Sequence, residues 1–278
     1  MKSFVVALLF GLSVLCATQY KVAWAEEAVN PISAIVVLDP KEIAAGEFQI
    51  GINFKIEPGW HLYWRYPGDT GLPTDVKFNL PPGASASDLQ WPTPIKFVQA
   101  GGLVGIGYEG EVVLFSNLKI PLDLSSQEAS ILARWVACSS KICVPGRKEF
   151  VFKVGDLISH SGLESRDLSV WQKRVPAELA PDIGVVGSNF NFDNSNPKKS
   201  SHEIVFEWKT PVETVEWFPY LSRNLKIQNL KIESLDSKSV VTFDLDRLDE
   251  QAAANLSAEV VISHKGARRG FAHQILLK

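Results

Sequence analysis

Hydrophobic and polar residues alternate with a period of two along much of the chain. In "FQIGINFKI", Phe48, Ile50, Ile52, Phe54 and Ile56 fall on one side of an extended segment. That is the pattern of a strand with one face turned to a core. The runs "SAIVVLD", "WHLYWRY", "DVKFNL", "EVVLFSNLKI", "ASILARWVA" and "KEFVFKV" are likewise rich in Val, Ile, Phe, Tyr and Trp, which suit a pleated surface. Turn-forming stretches such as "EPG", "YPGDTGLP", "PPGAS" and "LDLSSQE" separate them. Seven short strands over about 120 residues predict an antiparallel β-sandwich of immunoglobulin-like type.

The texture changes between Gly155 and Pro181. In "LESRDLSVWQKRV", Leu163, Leu168, Trp171 and Val175 recur near helical spacing with charges between them. Pro176 and Pro181 close the stretch, which predicts a short helical connector over residues 158–181. From residue 182 to 278 the strand signature returns in "GVVGSNFNFD", "HEIVFEW", "TVEWFPY", "LKIQNLKIESL", "SVVTFDLD", "SAEVVISHK" and "GFAHQILLK". The expected architecture is all-β: two immunoglobulin-like β-sandwich domains, over 26–157 and 182–278, joined by that connector. Within the second, "HKGARRG" (264–270) reads as a solvated basic hairpin tip.

The first 25 residues read as a secretory signal. Lys2 precedes the apolar run "FVVALLFGLSVLCA", and Ala23 and Ala25 supply the small residues that a signal peptidase reads before Glu26. The run is shorter than the roughly 20 helical residues that span a bilayer; the alternatives are an uncleaved amino-terminal anchor and a lipid-modified Cys16, the latter disfavoured by Leu15 before it. The reading implies export from the cytosol. The net charge is −3, and cleavage after Ala25 takes away Lys2 and Lys21. Such a balance argues against a nucleic-acid partner, which needs a basic surface.

Export changes how thiols are read, because outside the cytosol they tend to be oxidised. Beyond the leader only Cys138 and Cys143 remain, in "RWVACSSKICVPGRKEF". They stand at the two bases of a short connection between strand-like runs, within disulfide reach of each other. A chain with a core this size has no need of one small staple, and a short loop constrains the unfolded chain weakly. Three readings stand: a structural clip, a thiol-exchange pair, or a metal-binding pair. Lys141, Arg147 and Lys148 nearby read either as cations that favour a thiolate or as ordinary solvated charges.

The combination "PGWHLYWRYPGDTGLPTDVKFNLPPG", "WPTPIKF", "GYEGEVVLFSNLKIP" and "ARWVACSSKICVPG" resembles the periplasmic amino-terminal domain of the DsbD family of thiol reductases, in its ScsB-like branch. The match covers roughly Phe48 to Val154. The resemblance implies thiol–disulfide exchange by Cys138 and Cys143, with Cys143 forming the mixed disulfide and Cys138 resolving it. It implies thioredoxin-like redox partners, and a shielding loop that corresponds here to Pro92–Tyr108. In that loop Gly101, Gly102, Gly105 and Gly107 suit mobility, and Phe97, Leu103, Ile106 and Tyr108 are candidates to press on the sulfurs. Tyr63 and Tyr66 of "LYWRYPG" are candidate supporting residues, whereas Trp60 and Trp64 read as core or rim.

The chain departs from the best-known relative in two ways. The gap between the cysteines is shorter, and the loop lacks that relative's aromatic-acidic motif. No transmembrane electron conduit follows in the sequence given, so electrons are expected from a separate membrane protein. The five histidines (His61, His160, His202, His264, His273) show no metal-ligand spacing, and no cofactor is expected. Asp69 and Asp75 read as turn formers. The alternative function is a non-enzymatic binding module with a structural disulfide, in copper tolerance.

Overall fold

The computed structural model describes residues 30–39, 46–159, 161–179, 184–192, 198–221, 224–248 and 255–276. The backbone alone is described at 184–192, as are only the backbones of 122, 158, 255 and 276. The leader at 1–25 lies outside these residues.

The first unit contains β1 (Ile32–Leu38), β2 (Glu47–Ile56), β3 (His61–Gly68), β4 (Asp75–Asn79), β5 (Ser85–Ala86), β6 (Ile95–Val98), β7 (Val104–Tyr108), β8 (Glu111–Lys119), β9 (Glu128–Cys138) and β10 (Cys143–Lys153). One sheet runs in the order Glu164–Ser165, β1, β2, β8, β5. The other runs β10, β9, β3, β7, β6, with β4 also pairing β9. A hydrophobic cluster including Ile52, Phe54, Trp64, Leu114, Phe115, Ile131 and Trp135 draws on both sheets. The alternation that predicted β2 is therefore used as expected: Ile50, Ile52 and Phe54 are fully buried.

The polar face of β2 is also buried, which alternation alone does not show. Gln49 and Asn53 donate from their amides to Asn117 Oδ1 and Glu111 Oε1, each at 3.0 Å. Arg166 pairs with Glu111 at 2.9 Å, and Gln172 donates to Gln49. The Arg166 guanidinium holds the Glu111 carboxyl below its usual range. The segment after β10 thus lies over this sheet and supplies partners to Glu111 and Gln49.

That segment differs from the helical expectation for 158–181. It holds a helix at Val154–Ser159, starting earlier than expected, and a single turn at Ser169–Gln172. Between them Glu164–Ser165 pairs in parallel with β1, and beyond them Ala177–Glu178 pairs in parallel with Ala267–Leu276. The apolar spacing there arises from insertion: Leu168 and Trp171 are buried in the first core. Asp39 Oδ2 accepts the Leu168 backbone N–H at 2.9 Å, and Gly162 takes a positive φ of 71°, which favours glycine and breaks a helix.

The second unit is again two sheets. One has the order Ala177–Glu178, Ala267–Leu276, Asn255–His264, Thr214–Pro219. The other has the order Gly184–Phe192, Lys199–Trp208, Lys238–Arg247, Leu225–Leu235. Phe206, Trp217, Val241, Leu245 and Val260 are fully buried in its core. The chain is thus all-β, with two immunoglobulin-like sandwiches and little helix. Among the described residues, no helix is long and apolar enough to cross a membrane.

Candidate functional site

Cys138 closes β9 and Cys143 opens β10, and the two are direct partners across the antiparallel ladder. Their Cα atoms are 4.1 Å apart and the sulfurs are bonded. The four-residue connection is tied by Ser139, whose Oγ accepts the N–H groups of Lys141 and Ile142 at 3.2 Å. The Ser139 N–H in turn donates to the Ile142 carbonyl at 2.9 Å. The two half-cystines are unequal. Cys138 is fully buried, while Cys143 is exposed.

Cys138 is buried by a small apolar cluster with Tyr63 and Phe97, backed by Ile95 and Val136. Phe97 is carried on β6, which folds back on β7 through a turn at Ala100–Gly102. The expected loop at Pro92–Tyr108 is therefore largely a hairpin, and its glycines divide by task. Gly101 and Gly102 turn the chain at φ of 80° and 78°. Gly105 and Gly107 lie in a strand and make room instead. A Cβ on Gly105 would come 2.3 Å from the Phe97 ring, and one on Gly107 would come 2.0 Å from the Leu62 carbonyl oxygen. Gly105→Ala is expected to lift the Phe97 ring and speed reduction of the disulfide by dithiothreitol severalfold. Timed alkylation and mass measurement would check this, and an unchanged rate would deny the ring its covering role.

Of the candidate supporting residues, the structure brings Tyr63 and Phe97 together with Cys138. Tyr63 is fully buried, with Gly71 against its ring, and burial raises the pKa of its hydroxyl. Ile106 and Tyr108 belong to the main core, where the Tyr108 hydroxyl donates to the Pro92 carbonyl at 2.6 Å. Leu103 is 45% exposed near the hairpin tip. Tyr66 is placed elsewhere: it stacks on Tyr220 of the second unit with ring centres 4.8 Å apart. Residues three apart on a strand face opposite ways, so Tyr63 and Tyr66 part company. Trp64 is buried in the first core.

Two of the three nearby cations are occupied. Arg147 pairs with Glu149 at 3.5 Å, and Lys148 donates to the Ala34 carbonyl at 2.8 Å. Asp69 accepts the Val104 N–H at 3.1 Å, tying the turn after β3 to the hairpin. Asp75 accepts from Arg134 Nε at 3.1 Å.

His61 is the neighbour that the sequence did not reveal. It is paired directly with Cys138 across β3 and β9, so the two side chains share a face. Its ring stacks on Phe97 at 3.8 Å between centres. Nδ1 lies 3.2 Å from the Cys138 carbonyl oxygen and Nε2 lies 2.7 Å from Glu109 Oε1. Its place beside Cys138 follows from a pairing across 77 positions, which local spacing does not encode.

Residues 30–154 match the family described as "Thiol:disulfide interchange protein DsbD, N-terminal". These residues form a DsbD-family amino-terminal domain. The whole two-unit chain is similar to the amino-terminal periplasmic domain of ScsB from Proteus mirabilis. The identity is 18%, covering 88% of this chain and 92% of that one, with a TM-score of 0.60. That likeness is one of fold. The reduced form of the Neisseria meningitidis DsbD amino-terminal domain also aligns, at 15% identity over 43% of this chain and 83% of that one, with a TM-score of 0.27. A search of curated proteins gives no match.

The matched DsbD domain contains the whole β9–β10 pair up to Val154, and hence both cysteines. Beside that pair a shallow groove of about 550 Å³ is lined by Leu72, Pro73, Trp135, Val136, Pro145 and Gly146, among others. Ile142, next to Cys143, is 59% exposed. Among the described residues, no group of three or more His, Cys, Asp and Glu is placed to hold a metal ion.

Proposed function

We propose that the Cys138–Cys143 disulfide is a periplasmic exchange couple that passes electrons between a thioredoxin-like donor and periplasmic thiol partners. The observation that carries this reading is the inequality of the two sulfurs within a DsbD-family domain. An attacking thiolate must approach in line with the S–S bond, and access limits its rate. Only the Cys143 side is open to it. Attack on Cys143 Sγ forms the partner–Cys143 disulfide and releases Cys138 as a thiolate. In the reverse sense, the Cys138 thiolate attacks Cys143 Sγ, re-forms the internal disulfide and frees the partner thiol.

Phe97 and Tyr63 act as the cover that keeps stray thiols and oxidants from Cys138. The exposed Ile142 and the groove beside the pair offer a partner apolar surface. On this reading residues 26–157 are the redox domain and 182–278 an accessory one. The leader at 1–25 directs export.

A redox titration of the full chain against glutathione tests the couple. It is expected to equilibrate at a potential above about −300 mV, the region below which structural disulfides lie. A lower value would make the bond a clip and leave a binding module in place of an exchange protein.

A further inference from the structure

The hairpin over Cys138 is held at its base by groups outside its own sandwich. Thr93 donates from its backbone N–H and its hydroxyl to the Arg174 carbonyl, at 2.8 and 3.0 Å. Arg268 Nη2 donates to the Pro94 carbonyl at 2.6 Å, while its Nε and Nη2 hold Glu216 at 2.9 and 2.7 Å. The Lys96 ammonium lies 5.0 Å from the centre of the Phe218 ring. Gly270 permits this approach, because a Cβ there would come 2.3 Å from Thr93 Oγ1. Arg268 belongs to the stretch whose sequence reads as a solvated tip, yet it is drawn into this junction.

Strand β3, which carries His61 and Tyr63, is gripped from the same side. Arg65 donates to Tyr220 and to Glu259, the latter at 3.2 Å, and Tyr220 donates to Glu259 at 2.8 Å. Tyr66 stacks on Tyr220, and Trp64 meets both Tyr220 and Phe218 edge to face. Both walls of the Cys138 cluster are therefore braced by the second unit.

Lys96 and Phe97 are neighbours on a strand and face opposite ways. One engages Phe218 and the other covers Cys138. The β6–β7 pairing holds only four residue pairs, and its exposed tip carries Val98 at 73% exposure. β7 is held by its pairing with β3 and by Asp69, but β6 is the outer strand with only this short ladder, so what fixes its base decides how readily it lifts from Cys138.

We propose that the second sandwich is the anchor of this hairpin, and so governs how fast thiols reach the Cys138–Cys143 disulfide. Arg268, Lys96 and Phe218 are then positioning residues that act through Phe97. The biological meaning rests on the exchange function proposed above, but the test uses a small reductant, so the two can fail separately.

In the full chain, reduction by dithiothreitol is followed by timed alkylation and mass measurement. Arg268→Ala is expected to speed it by roughly tenfold or more, the shift in an opening equilibrium that loss of one hydrogen bond from a charged donor gives. Phe97→Ala is expected to speed it at least as much, and Arg268→Ala is expected to add nothing in the Phe97→Ala background. Backbone amide exchange over residues 95–107 should rise in Arg268→Ala. Where that variant perturbs the second sandwich itself, Lys96→Met, which keeps the stem and removes the charge, carries the same expectations. Independent, multiplying effects of the two substitutions would overturn the proposal. So would a rate unchanged in Arg268→Ala and Lys96→Met, a rate unchanged in Phe97→Ala, or unaltered amide exchange. A normal pattern with dithiothreitol, alongside no reaction with any thioredoxin-like protein, would leave the anchor standing and remove the exchange function.

Discussion

Cys138→Ser is expected to convert a passing mixed disulfide into a lasting one. When Cys143 attacks a partner disulfide, the bond between them is normally cleared by the Cys138 thiolate. A serine hydroxyl does not carry out that displacement, since exchange needs a thiolate. The Cys138→Ser chain incubated with a thioredoxin-like protein that has a single active-site cysteine, activated as an aryl disulfide whose aryl thiolate departs, should accumulate a covalent one-to-one complex that dithiothreitol dissolves. Cys143→Ser should give little or none, because Cys138 is fully buried beneath Phe97 and Tyr63. Catalysed turnover should fall by orders of magnitude in both. Non-reducing electrophoresis with mass identification of the cross-linked peptide reads the result. A complex formed through Cys138 in the Cys143→Ser chain, and not the other way round, would reverse the assignment of roles.

What the sequence made legible follows from the reach of each signal. Alternation over nine residues identifies β2 and its buried face, because that pattern is local. The pairing of Cys138 with Cys143 was legible for the same reason, since only four residues separate them. The neighbours of Cys138 were not all legible. His61 reaches it through β3–β9 pairing, whose register depends on how a sheet assembles over 77 positions. The glycines of the hairpin were read as freedom, whereas Gly105 and Gly107 serve close approach. Composition cannot tell these uses apart, since absence of a side chain permits both. The place of Tyr66 and the partners of exposed Arg268 are illegible for a shared reason: each meets the other unit, and no local pattern marks a contact between units.

The second sandwich is expected to lose stability as the pH falls from about 6.5 to 4. Two histidines are buried there as neutral rings. His273 accepts a hydrogen bond from Trp217 Nε1–H on its Nε2 at 3.0 Å, so its proton sits on Nδ1. Burial lowers its pKa from 6.5 to about 4. His202 stacks on Phe243 and meets Ser200 Oγ through Nε2 at 2.6 Å. Burial, then the charge of Arg247, also lower its pKa to about 4, against an opposing pull from Asp244. With the folded value depressed, the unfolded chain takes up protons first. The stability is whole above pH 6.5 and drains away towards pH 4. For His273 the span corresponds to roughly 3 kcal/mol at most.

Glu259 works against this. Burial raises its pKa to about 7, against the lowering effect of Tyr220 and Arg65. Here the folded chain takes up the proton first, so acidification from pH 7 to the ordinary carboxyl range favours the fold. One carboxyl opposes two imidazoles of similar displacement, and the net change on acidification is a loss. Thermal unfolding followed by tryptophan fluorescence at steps from pH 7.5 to 4 should show the midpoint falling. The His202→Asn/His273→Gln double variant should flatten that fall, and Glu259→Gln should steepen it. The comparison is of slopes, so any uniform destabilisation by the substitutions drops out. A midpoint as steep in the double variant as in the parent would mean that these rings are not where the acid acts.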